Sequence, residues 1–350
     1  MPLRIVQVGL GGWGRDWAQN ILPKVEEVHP VAWVDADPAT LTAARQTLGI
    51  PKECCFTSLE AALAAVAADA VLVTTPVGAH IPVALEAIEA GKHVLVEKPF
   101  APNLAEARRA VEAAAARGPV LMVSQNYRFF PAPRAVAELI AGGTLGSVGG
   151  VYVDFRRNVT HATGRVRHFA LADPLLVDMA IHHFDLMRMI LKQEPRLVSC
   201  HSWNPPWSPF TGGDAAATAT VAFDGGAVAS WRGNWVSPGD QTYWAGEWRV
   251  ECAGGEIRWT SREELGGTSG DRVTVHPADG PAKELKLPTV RPHGRAGALA
   301  AFAAAVQAGT EPETSGRDNL RTLGLVEAAL SSAATGQAVS VSPQAETRRG

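Results

Sequence analysis

The sequence predicts an α/β protein of two domains. The first, residues 1–125, is a doubly wound parallel sheet, and the second, residues 126–350, is an α+β domain with a large, mostly antiparallel open sheet. Predicted strands and helices alternate through the first third of the chain. A glycine-rich turn joins the first strand to the first helix. In the second half, short strands of period two follow one another through glycine turns.

The composition excludes several classes of function. Of the 350 residues, 46% are hydrophobic and 19% are charged, which is enough to build full cores. The formal net charge of -3 gives no basic footprint for nucleic acid, and no apolar run is long enough to span a bilayer. The four cysteines show no Cys-x-x-Cys spacing, so we expect reduced thiols. The chain opens directly on a strand pattern, which predicts a cytoplasmic protein without a signal peptide.

The glycine-rich turn has the spacing of a dinucleotide-binding loop. Gly9, Gly11 and Gly14 fit G-x-G-x-x-G between a predicted strand and a predicted helix. The first glycine permits the tight turn, the second lets the backbone approach a pyrophosphate, and the third lets helix and strand pack closely. The unpaired N–H groups of the helix that starts near Gly12 and Trp13 favour phosphate. The loop therefore predicts a Rossmann fold.

An acidic residue follows the second predicted strand. Asp35 lies about twenty residues beyond the third glycine, as a dinucleotide fold requires. A carboxylate at this position accepts hydrogen bonds from the adenosine ribose and repels a 2′-phosphate. No Arg or Lys follows at positions 36–38, so the sequence predicts NAD rather than NADP. The alternative role of a helix cap is already filled by Asp37 before Pro38.

Two later strands also end in polar residues, and ligands of open α/β sheets bind at the carboxyl ends of the strands. Strand 70–73 runs into Thr74, and strand 93–96 runs into Glu97, Lys98 and Pro99. We therefore expect the amine of Lys98 at the mouth of a cleft. The alternative is a surface lysine that ends a strand. The bond between Lys98 and Pro99 is a candidate cis peptide.

One predicted helix of the second half carries a polar face. Residues 175–190 are mostly apolar, but Asp178, His182 and Asp185 recur at i, i+4 and i+7. Because buried polar groups need partners, this face either forms a structural network or lines a cleft. A zinc site is the weaker alternative, since no further ligand is placed to complete it, and we predict no metal. His183 points to another face and is expected to be packed.

Together, these motifs resemble the Gfo/Idh/MocA family of nicotinamide-dependent oxidoreductases over nearly the whole chain. The motifs are the glycine-rich loop, residues 90–99, Gln125-Asn126-Tyr127-Arg128-Phe129, Asp178-x-x-x-His182-x-x-Asp185, and residues 315–319 before the last helix. The resemblance implies a Rossmann domain followed by a domain whose open sheet forms homodimers or homotetramers. It also implies bound NAD(P) and a sugar, polyol or related substrate.

The resemblance further implies individual site residues. Lys98 matches the lysine of the family's Glu-Lys-Pro motif, and Asp178 and His182 match its proton-transfer pair. With the residues already argued above, the predicted cofactor-binding set is Gly9, Gly11, Gly12, Trp13, Gly14, Asp35, Thr74, Thr75, Pro76, His80, Glu97, Lys98 and Asn126.

We expect the following chemistry from these residues. His182 takes the proton of a substrate hydroxyl whose carbon gives hydride to NAD, and Asp178 orients the imidazole. Lys98 hydrogen-bonds the reacting oxygen and stabilises its negative charge. Alternatively, Lys98 is itself the base. Glu97 is expected to hold Lys98 or the cofactor rather than to react.

The sequence constrains the substrate less than the cofactor. The predicted substrate-binding residues are Tyr127, Arg128, Arg156, Asn158, His161, Arg165, Asp178 and His182. Arginines within residues 156–167 can bind the carboxylate of an acidic sugar, and the alternative is a solvated basic loop. Val77 stands where the family often has asparagine, and Leu175 and Leu176 stand where it often has a glycine pair. These departures leave the identity of the substrate open.

Three functions remain open on the sequence. The favoured one is a dehydrogenase that acts on a hydroxyl of a sugar, polyol or inositol-like compound. The second is a redox-neutral, NAD-dependent enzyme that cleaves glycosides on the same fold. The third is a non-catalytic NAD or sugar sensor, which is disfavoured because a sensor does not need the proton-transfer residues.

Overall fold

The computed structural model describes residues 1–160, 169–264 and 266–341. The chain divides into two compact units. The first comprises Met1–Asn126 and Arg291–Leu320, and the second comprises Tyr127–Val290 and the chain from Arg321 onward. A single boundary after residue 125, as the sequence suggested, therefore leaves out a late segment that belongs with the first unit.

The first unit is built on a parallel sheet. Its six strands, counted within the fully described residues 1–126, are arranged in the order β3-β2-β1-β4-β5-β6. The strands are β1 (Leu3–Val8), β2 (Val28–Val34), β3 (Cys55–Phe56), β4 (Ala70–Val73), β5 (His93–Val96) and β6 (Leu121–Val123). All neighbouring pairs are parallel. This is the predicted Rossmann sheet, and its central strands are buried as continuous apolar runs.

Helices connect these strands in the alternating pattern that the sequence predicts. They are α1 (Gly12–Asn20), α2 (Pro38–Leu48), α3 (Leu59–Ala65), α4 (His80–Glu89) and α5 (Leu104–Arg117). Asp37 caps α2 as expected, since its carboxylate accepts from the amides of Ala39 and Thr40 at 3.2 and 3.1 Å. The predicted strand 119–127 is shorter than expected, because β6 ends at Val123.

The late segment completes the first unit. It contains helix α8 (Gly294–Ala308) and the first residues of α9 (Gly316–Thr335). Between these helices, the carbonyl of Thr314 accepts from the amide of Val123 at 2.9 Å, and the Thr314 hydroxyl donates to the carbonyl of Val123 at 2.8 Å. The outer edge of β6 is therefore held by residues that follow it by almost two hundred positions.

The second unit is built on a larger, mostly antiparallel sheet. Nine strands of the described chain follow the order β14-β13-β12-β11-β7-β10-β9-β8-β15. They are β7 (Val148–Arg156), β8 (Pro195–Trp203), β9 (Ala216–Phe223), β10 (Val228–Asn234), β11 (Glu247–Cys252), β12 (Gly255–Thr260), β13 (Arg272–Pro277), β14 (Lys283–Glu284) and β15 (Val339–Ser340). The three predicted hairpins are present as β9–β10, β11–β12 and β13–β14. The sequence did not predict the parallel pairing of β7 with β10.

The core of this unit lies between the sheet and helices α6 (Pro131–Ala141), α7 (Ile181–Leu191) and the later part of α9. Phe184 of α7 packs edge-to-face on Trp231 of β10, with ring centroids 5.7 Å apart. Trp248 and Trp259 stack on adjacent strands at 4.6 Å. Tryptophans of the sheet therefore serve mainly in packing, as the sequence indicated.

The segment before α7 differs from the regular helix that the sequence predicts. Residues Leu175–Ala180 form a π-helical turn, and α-helical geometry begins only at Ile181. A π-turn is wider than an α-turn because its hydrogen bonds join residues i and i+5. Asp178 in this turn is half-buried, whereas His182 and Asp185 further along are buried. Among the described residues, no helix is long and apolar enough to cross a membrane.

Candidate active site

The glycine-rich loop requires two of its glycines for its own packing. Gly9 has a φ of 96°, and a Cβ there would lie 2.6 Å from the amide nitrogen of Thr75. A Cβ on Gly14 would lie 1.9 Å from the carbonyl oxygen of Gly9. In contrast, a Cβ on Gly11 or Gly12 would meet no described residue within 4 Å. The loop therefore packs tightly on one side and leaves its other side open, as pyrophosphate binding requires.

Residues beneath the loop hold it in this shape. The hydroxyl of Thr74 lies 2.7 Å from the carbonyl oxygen of Gly9. The side-chain amide of Gln7, which is fully buried, donates to the carbonyl of Gly14 at 2.7 Å and to the Thr74 hydroxyl at 3.1 Å. The Thr74 hydroxyl therefore supports the loop, and the predicted contact of Thr74 with the cofactor stays a prediction. The role of Gln7 was missed, and its only sequence signal was a polar residue inside an apolar strand.

Asp35 is placed at the open end of the loop. Its carboxylate accepts from the amide of Leu10 at 2.7 Å and from the amide of Asp37 at 3.0 Å. Arg15 lies at the same loop, where its guanidinium donates to the carbonyl of Leu10 at 3.1 Å. The prediction of NAD rested on the absence of Arg and Lys at positions 36–38. It did not include Arg15, because this residue comes from the helix after the loop.

His80 joins the ends of two strands. One ring nitrogen lies 2.8 Å from the carbonyl of Pro99, and the other lies 2.9 Å from the carbonyl of Thr75. Burial lowers the pKa of His80, whereas the two carbonyls act in the opposite direction. In the neutral ring one nitrogen donates to its carbonyl. The side chain thereby links the ends of the two strands, and its contact with the cofactor stays a prediction.

Lys98 follows a buried carboxylate. Glu97 is 3% exposed, and it accepts from the indole nitrogen of Trp17 at 2.7 Å and from the amide of Lys98 at 3.0 Å. The expectation that Glu97 holds Lys98 agrees with these contacts. The peptide bond between Lys98 and Pro99 is cis, as the sequence suggested. Lys98 itself is half-buried.

Several buried polar atoms cluster at the carboxyl ends of β4 and β6. The hydroxyls of Thr75 and Ser124, both polar atoms of the Gln125 amide and the carbonyl oxygen of the Asn126 amide have no hydrogen-bond partner within the described chain. Buried polar groups are costly unless a partner satisfies them. Together with the open side of the loop and the Asp35 carboxylate, these atoms fit a dinucleotide whose polar groups would occupy this edge. Ser124 and Gln125 were not among the predicted residues.

In the second unit, His182 is stacked on Tyr127. Their ring centroids are 3.9 Å apart and the planes differ by 9°. His182 is 4% exposed and Tyr127 is 3% exposed. Asp178 lies four residues before His182, in the π-helical turn. Tyr127 therefore supports the ring of His182. Its predicted contact with a substrate stays a prediction.

The third member of the polar face, Asp185, belongs to a structural network. Arg128 donates to its two carboxylate oxygens at 2.7 and 2.6 Å, and the hydroxyl of Thr322 donates at 3.0 Å. Arg188 lies one turn further along α7 and binds Glu194 and Thr322. Arg128 is 5% exposed, so its guanidinium joins α7 to the segment before α6. The contacts with Asp185 give Arg128 a structural role, and its predicted contact with a substrate stays a prediction.

His183 is packed, as expected. Its Nδ1 accepts from the indole nitrogen of Trp231 at 3.0 Å, and its Nε2 faces the carbonyl of Trp244 at 3.4 Å. Burial lowers the pKa of His183 to about 3, so the ring is neutral. Two neighbouring histidines in the sequence therefore occupy different environments.

The described part of the predicted basic cluster, residues 156–160, makes its contacts within the second unit. Arg156 binds Glu247 at 2.8 Å and the carbonyl of Asp240 at 3.2 Å. The Asn158 side chain closes a turn by accepting from the amide and hydroxyl of Thr160 at 3.1 and 2.6 Å. Both residues therefore have partners within the protein, and their contacts with a substrate stay predictions. His161 and Arg165, which complete the predicted set, lie outside the described residues. Within the described chain, no group of three or more His, Cys, Asp or Glu could hold a metal ion.

The fold and the loop define a dinucleotide-binding oxidoreductase with a second sheet domain. A family model described as "Oxidoreductase family, NAD-binding Rossmann fold" matches residues 3–125, and one described as "GFO/IDH/MocA C-terminal domain" matches residues 134–258. The chain therefore belongs to the Gfo/Idh/MocA oxidoreductase family, and the resemblance found in the sequence is confirmed.

Individual relatives agree with this assignment. The chain is 30% identical to the D-apiose dehydrogenase of Paraburkholderia graminis, over 90% of this chain and 84% of that protein. It is 27% identical to D-xylose 1-dehydrogenase (NADP(+)) 2 of Haloferax volcanii, over 95% and 98% of the two chains. A solved oxidoreductase from Agrobacterium radiobacter, in complex with NAD+, L-tartaric acid and magnesium, shares the fold with a TM-score of 0.84 and 23% identity over 97% and 99% of the two chains. The protein is thus an NAD(P)-dependent dehydrogenase.

Proposed function

We propose that the protein transfers a hydride between a hydroxyl-bearing carbon of a sugar, polyol or inositol-like compound and NAD. The observation that carries the proposal is the position of Lys98, which follows a buried strand of the parallel sheet and is tied to the buried Glu97. An amine at the carboxyl edge of such a sheet lies where its ligands bind. The two dehydrogenases named above act on D-apiose and D-xylose, as their names state, which supports a sugar-type substrate.

Each residue has a separate task in this proposal. Bound NAD supplies the hydride acceptor. Lys98 donates a hydrogen bond to the reacting oxygen and stabilises negative charge on it. His182 takes the hydroxyl proton, and Asp178 orients the imidazole and stabilises its charged form. The stack of His182 on Tyr127 restrains the plane of the imidazole ring.

We infer a preference for NAD over NADP from Asp35. Its carboxylate lies at the loop beside the amide of Leu10 and disfavours the charge of a 2′-phosphate. The nearby Arg15 reduces this repulsion, and one relative is named as NADP-dependent. The ratio of kcat/KM for NAD and NADP tests the inference. Asp35→Ala should shift the ratio toward NADP by about tenfold, and a wild-type preference for NADP would overturn it.

The test of the proposed function is reduction of NAD, and separately of NADP, across neutral and acidic sugars, polyols and inositols. Activity on one substrate class, lost by at least about a hundredfold in Lys98→Ala with NADH binding retained, would support the proposal. Lys52→Ala, a change of an exposed lysine in the same unit, is the matched control. Full activity of Lys98→Ala would show that Lys98 does not take part in catalysis. Cleavage of glycosides without net NADH would favour the redox-neutral alternative, and binding without turnover would favour a sensor.

We also propose that the open face of the second sheet joins copies of the chain into a homodimer or homotetramer. This face presents arginines next to carboxylates, such as Arg249 beside Glu256 and Arg156 beside Glu247, and it exposes Tyr152. Charges of both signs on one face are compatible with a self-complementary interface. Light scattering should show a dimer or tetramer, and Tyr152→Asp should lower the measured mass. A monomeric wild-type protein would contradict the proposal.

A further inference from the structure

A column of alternating aromatic and cationic side chains runs through the second unit and ends at His182. The ring of Tyr127 lies against His182, with centroids 3.9 Å apart. The guanidinium carbon of Arg262 lies 4.6 Å from the centroid of Tyr127 and 5.4 Å from that of Trp244. Arg157 lies over Trp244 at 4.5 Å. We call these five side chains the Tyr127 column.

Polar contacts fix the column along its length. Arg262 donates a hydrogen bond to the hydroxyl of Tyr127. At the far end, Arg157 binds the carboxylate of Glu264 and donates to the carbonyl of Thr242 at 2.9 Å. Each cation therefore has a hydrogen-bond acceptor as well as an aromatic face, so the column is held by directional contacts in addition to packing.

Arg262 occupies a conformation that a side chain seldom adopts. Its φ is 60°, in the left-handed region that favours glycine. Beyond the end of β12 at Thr260, the carbonyl of Arg262 accepts from the amide of Trp244 at 3.0 Å. The carboxylate of Asp271 holds the same backbone by accepting from the amide of Arg262 at 3.0 Å and from the amide of Ala132 at 3.1 Å. Strained residues that the surrounding structure keeps in place cluster at functional sites.

We propose that Arg262 is a positioning residue for His182. It fixes the ring of Tyr127 by a hydrogen bond to the hydroxyl and a cation over the face, and the Tyr127 ring in turn fixes the plane of the imidazole. This inference rests on the proposed function, in which His182 transfers the substrate proton. Proton transfer requires a base within about 0.5 Å and 10–20° of its productive geometry. A Tyr127 ring that is itself fixed helps to hold the stacked imidazole in that geometry.

The kinetic test compares four variants of the full-length protein. Arg262→Met removes the cation and the donor at similar length, and should lower kcat about tenfold to a hundredfold without changing the KM for NAD. Arg262→Lys retains a cation and a donor but not a planar group, and should restore part of kcat. Tyr127→Phe retains the stack on His182 but loses the acceptor, and should be intermediate.

The fourth variant is the matched control. Arg134 of α6 lies over the ring of Phe129 at 5.1 Å, so it makes the same type of contact in the same unit, but with a ring other than that of Tyr127. Arg134→Met should keep kcat within about twofold of wild type. If Arg134→Met lowers kcat as much as Arg262→Met does, the loss reflects general packing of the unit, and the proposal is overturned.

A spectroscopic readout separates this inference from the proposed function. The Tyr127 ring should displace the NMR signal of the His182 Hε1 proton upfield, and the absence of that signal from His182→Gln assigns it. In Arg262→Met the signal should move toward its position in an unstacked histidine. An unmoved signal overturns the inference, whatever the activity. If the signal moves but both Arg262→Met and His182→Gln keep full activity, Arg262 still positions the His182 ring. The catalytic role of His182 in the proposed function is then overturned.

Discussion

The indole nitrogen of Trp17 donates a hydrogen bond of 2.7 Å to the buried carboxylate of Glu97. Trp17 lies in the helix after the glycine-rich loop, and Glu97 precedes Lys98. The bond therefore connects the predicted phosphate-binding element with the proposed catalytic lysine inside one unit. The second carboxylate oxygen accepts from the amide of Lys98, so Glu97 satisfies donors on both sides.

This relationship predicts a strong effect of Glu97→Ala. The change leaves two buried donors without their acceptor, so it should lower the free energy of unfolding by about 3 kcal/mol. It should also lower kcat, because the backbone of Lys98 loses its anchor. Urea denaturation and steady-state kinetics measure the two effects. Glu60→Ala, at an exposed position of the same unit, is the control, and equal stability of both variants would contradict the prediction.

The glycine-rich loop predicts opposite results for two Gly→Ala variants. In Gly14→Ala, the new methyl group would lie 1.9 Å from the carbonyl oxygen of Gly9, so the loop must shift, and unfolding should become easier by about 3 kcal/mol. In Gly11→Ala, the methyl group meets no described residue within 4 Å, so stability should stay within about 0.5 kcal/mol.

The same Gly11→Ala variant should nevertheless weaken NADH binding by about tenfold or more, because its methyl group enters the space left for the pyrophosphate. Titration of NADH, followed by fluorescence, measures the dissociation constant. A Gly11→Ala protein that binds NADH like wild type would place the pyrophosphate elsewhere.

Burial of His183 predicts a loss of stability in acid. The pKa of His183 in the folded protein is about 3, against an ordinary value of 6.5. Between these values the unfolded chain binds a proton that the folded protein does not, so this contribution is fully present above pH 6.5 and is lost as the pH falls toward 3. At pH 5 the loss amounts to about 2 kcal/mol relative to pH 8.

The variant His183→Gln isolates this contribution. Glutamine can still accept from the Trp231 indole but does not titrate, so its stability should fall less than that of wild type between pH 8 and pH 5, by about 2 kcal/mol. Urea midpoints at both pH values give the comparison, with His29→Gln as the exposed control. A parallel fall in wild type and His183→Gln would show that other groups cause the acid sensitivity.

The buried pair of Arg128 and Asp185 predicts a further loss. Arg128→Met leaves the Asp185 carboxylate buried without its main cation and should cost about 3–5 kcal/mol of unfolding free energy. The double variant Arg128→Met, Asp185→Leu removes both charges and should recover much of that cost. Chemical denaturation of the two proteins measures the difference. A cost below about 1 kcal/mol for the single variant would mean that water or Thr322 satisfies the carboxylate.

The sequence predicts the first unit well because its signals are local. A strand, a glycine loop and a helix follow one another directly, and Asp35 lies at a fixed distance beyond them. The hairpins of the second sheet are also local, since each is joined by a glycine turn. The parallel pairing of β7 with β10 and the return of residues 291–320 to the first unit involve distant segments, and no short motif marks them.

In the candidate site, too, contacts between distant segments could not be predicted from the sequence. The types of residue at Lys98, Asp178 and His182 are visible in the motifs, but what surrounds them is not. Arg262 follows Tyr127 by 135 positions, and the partner of Arg128 lies 57 positions away. A regular helical pattern also suggested one polar face for Asp178, His182 and Asp185. The π-helical turn and the arginine network divide those residues between different environments.

The segment from Arg291 to Leu320 has a consequence for how the chain is made. A ribosome has already translated 290 residues before the synthesis of this segment begins, and its partner strand β6 leaves the exit tunnel long before the segment does. Until then, Val123 lacks both hydrogen bonds to Thr314, and the edge of the parallel sheet stays uncovered during synthesis. The first unit is thus completed only near the end of translation, and a chain truncated before residue 291 lacks the segment that covers the edge of β6.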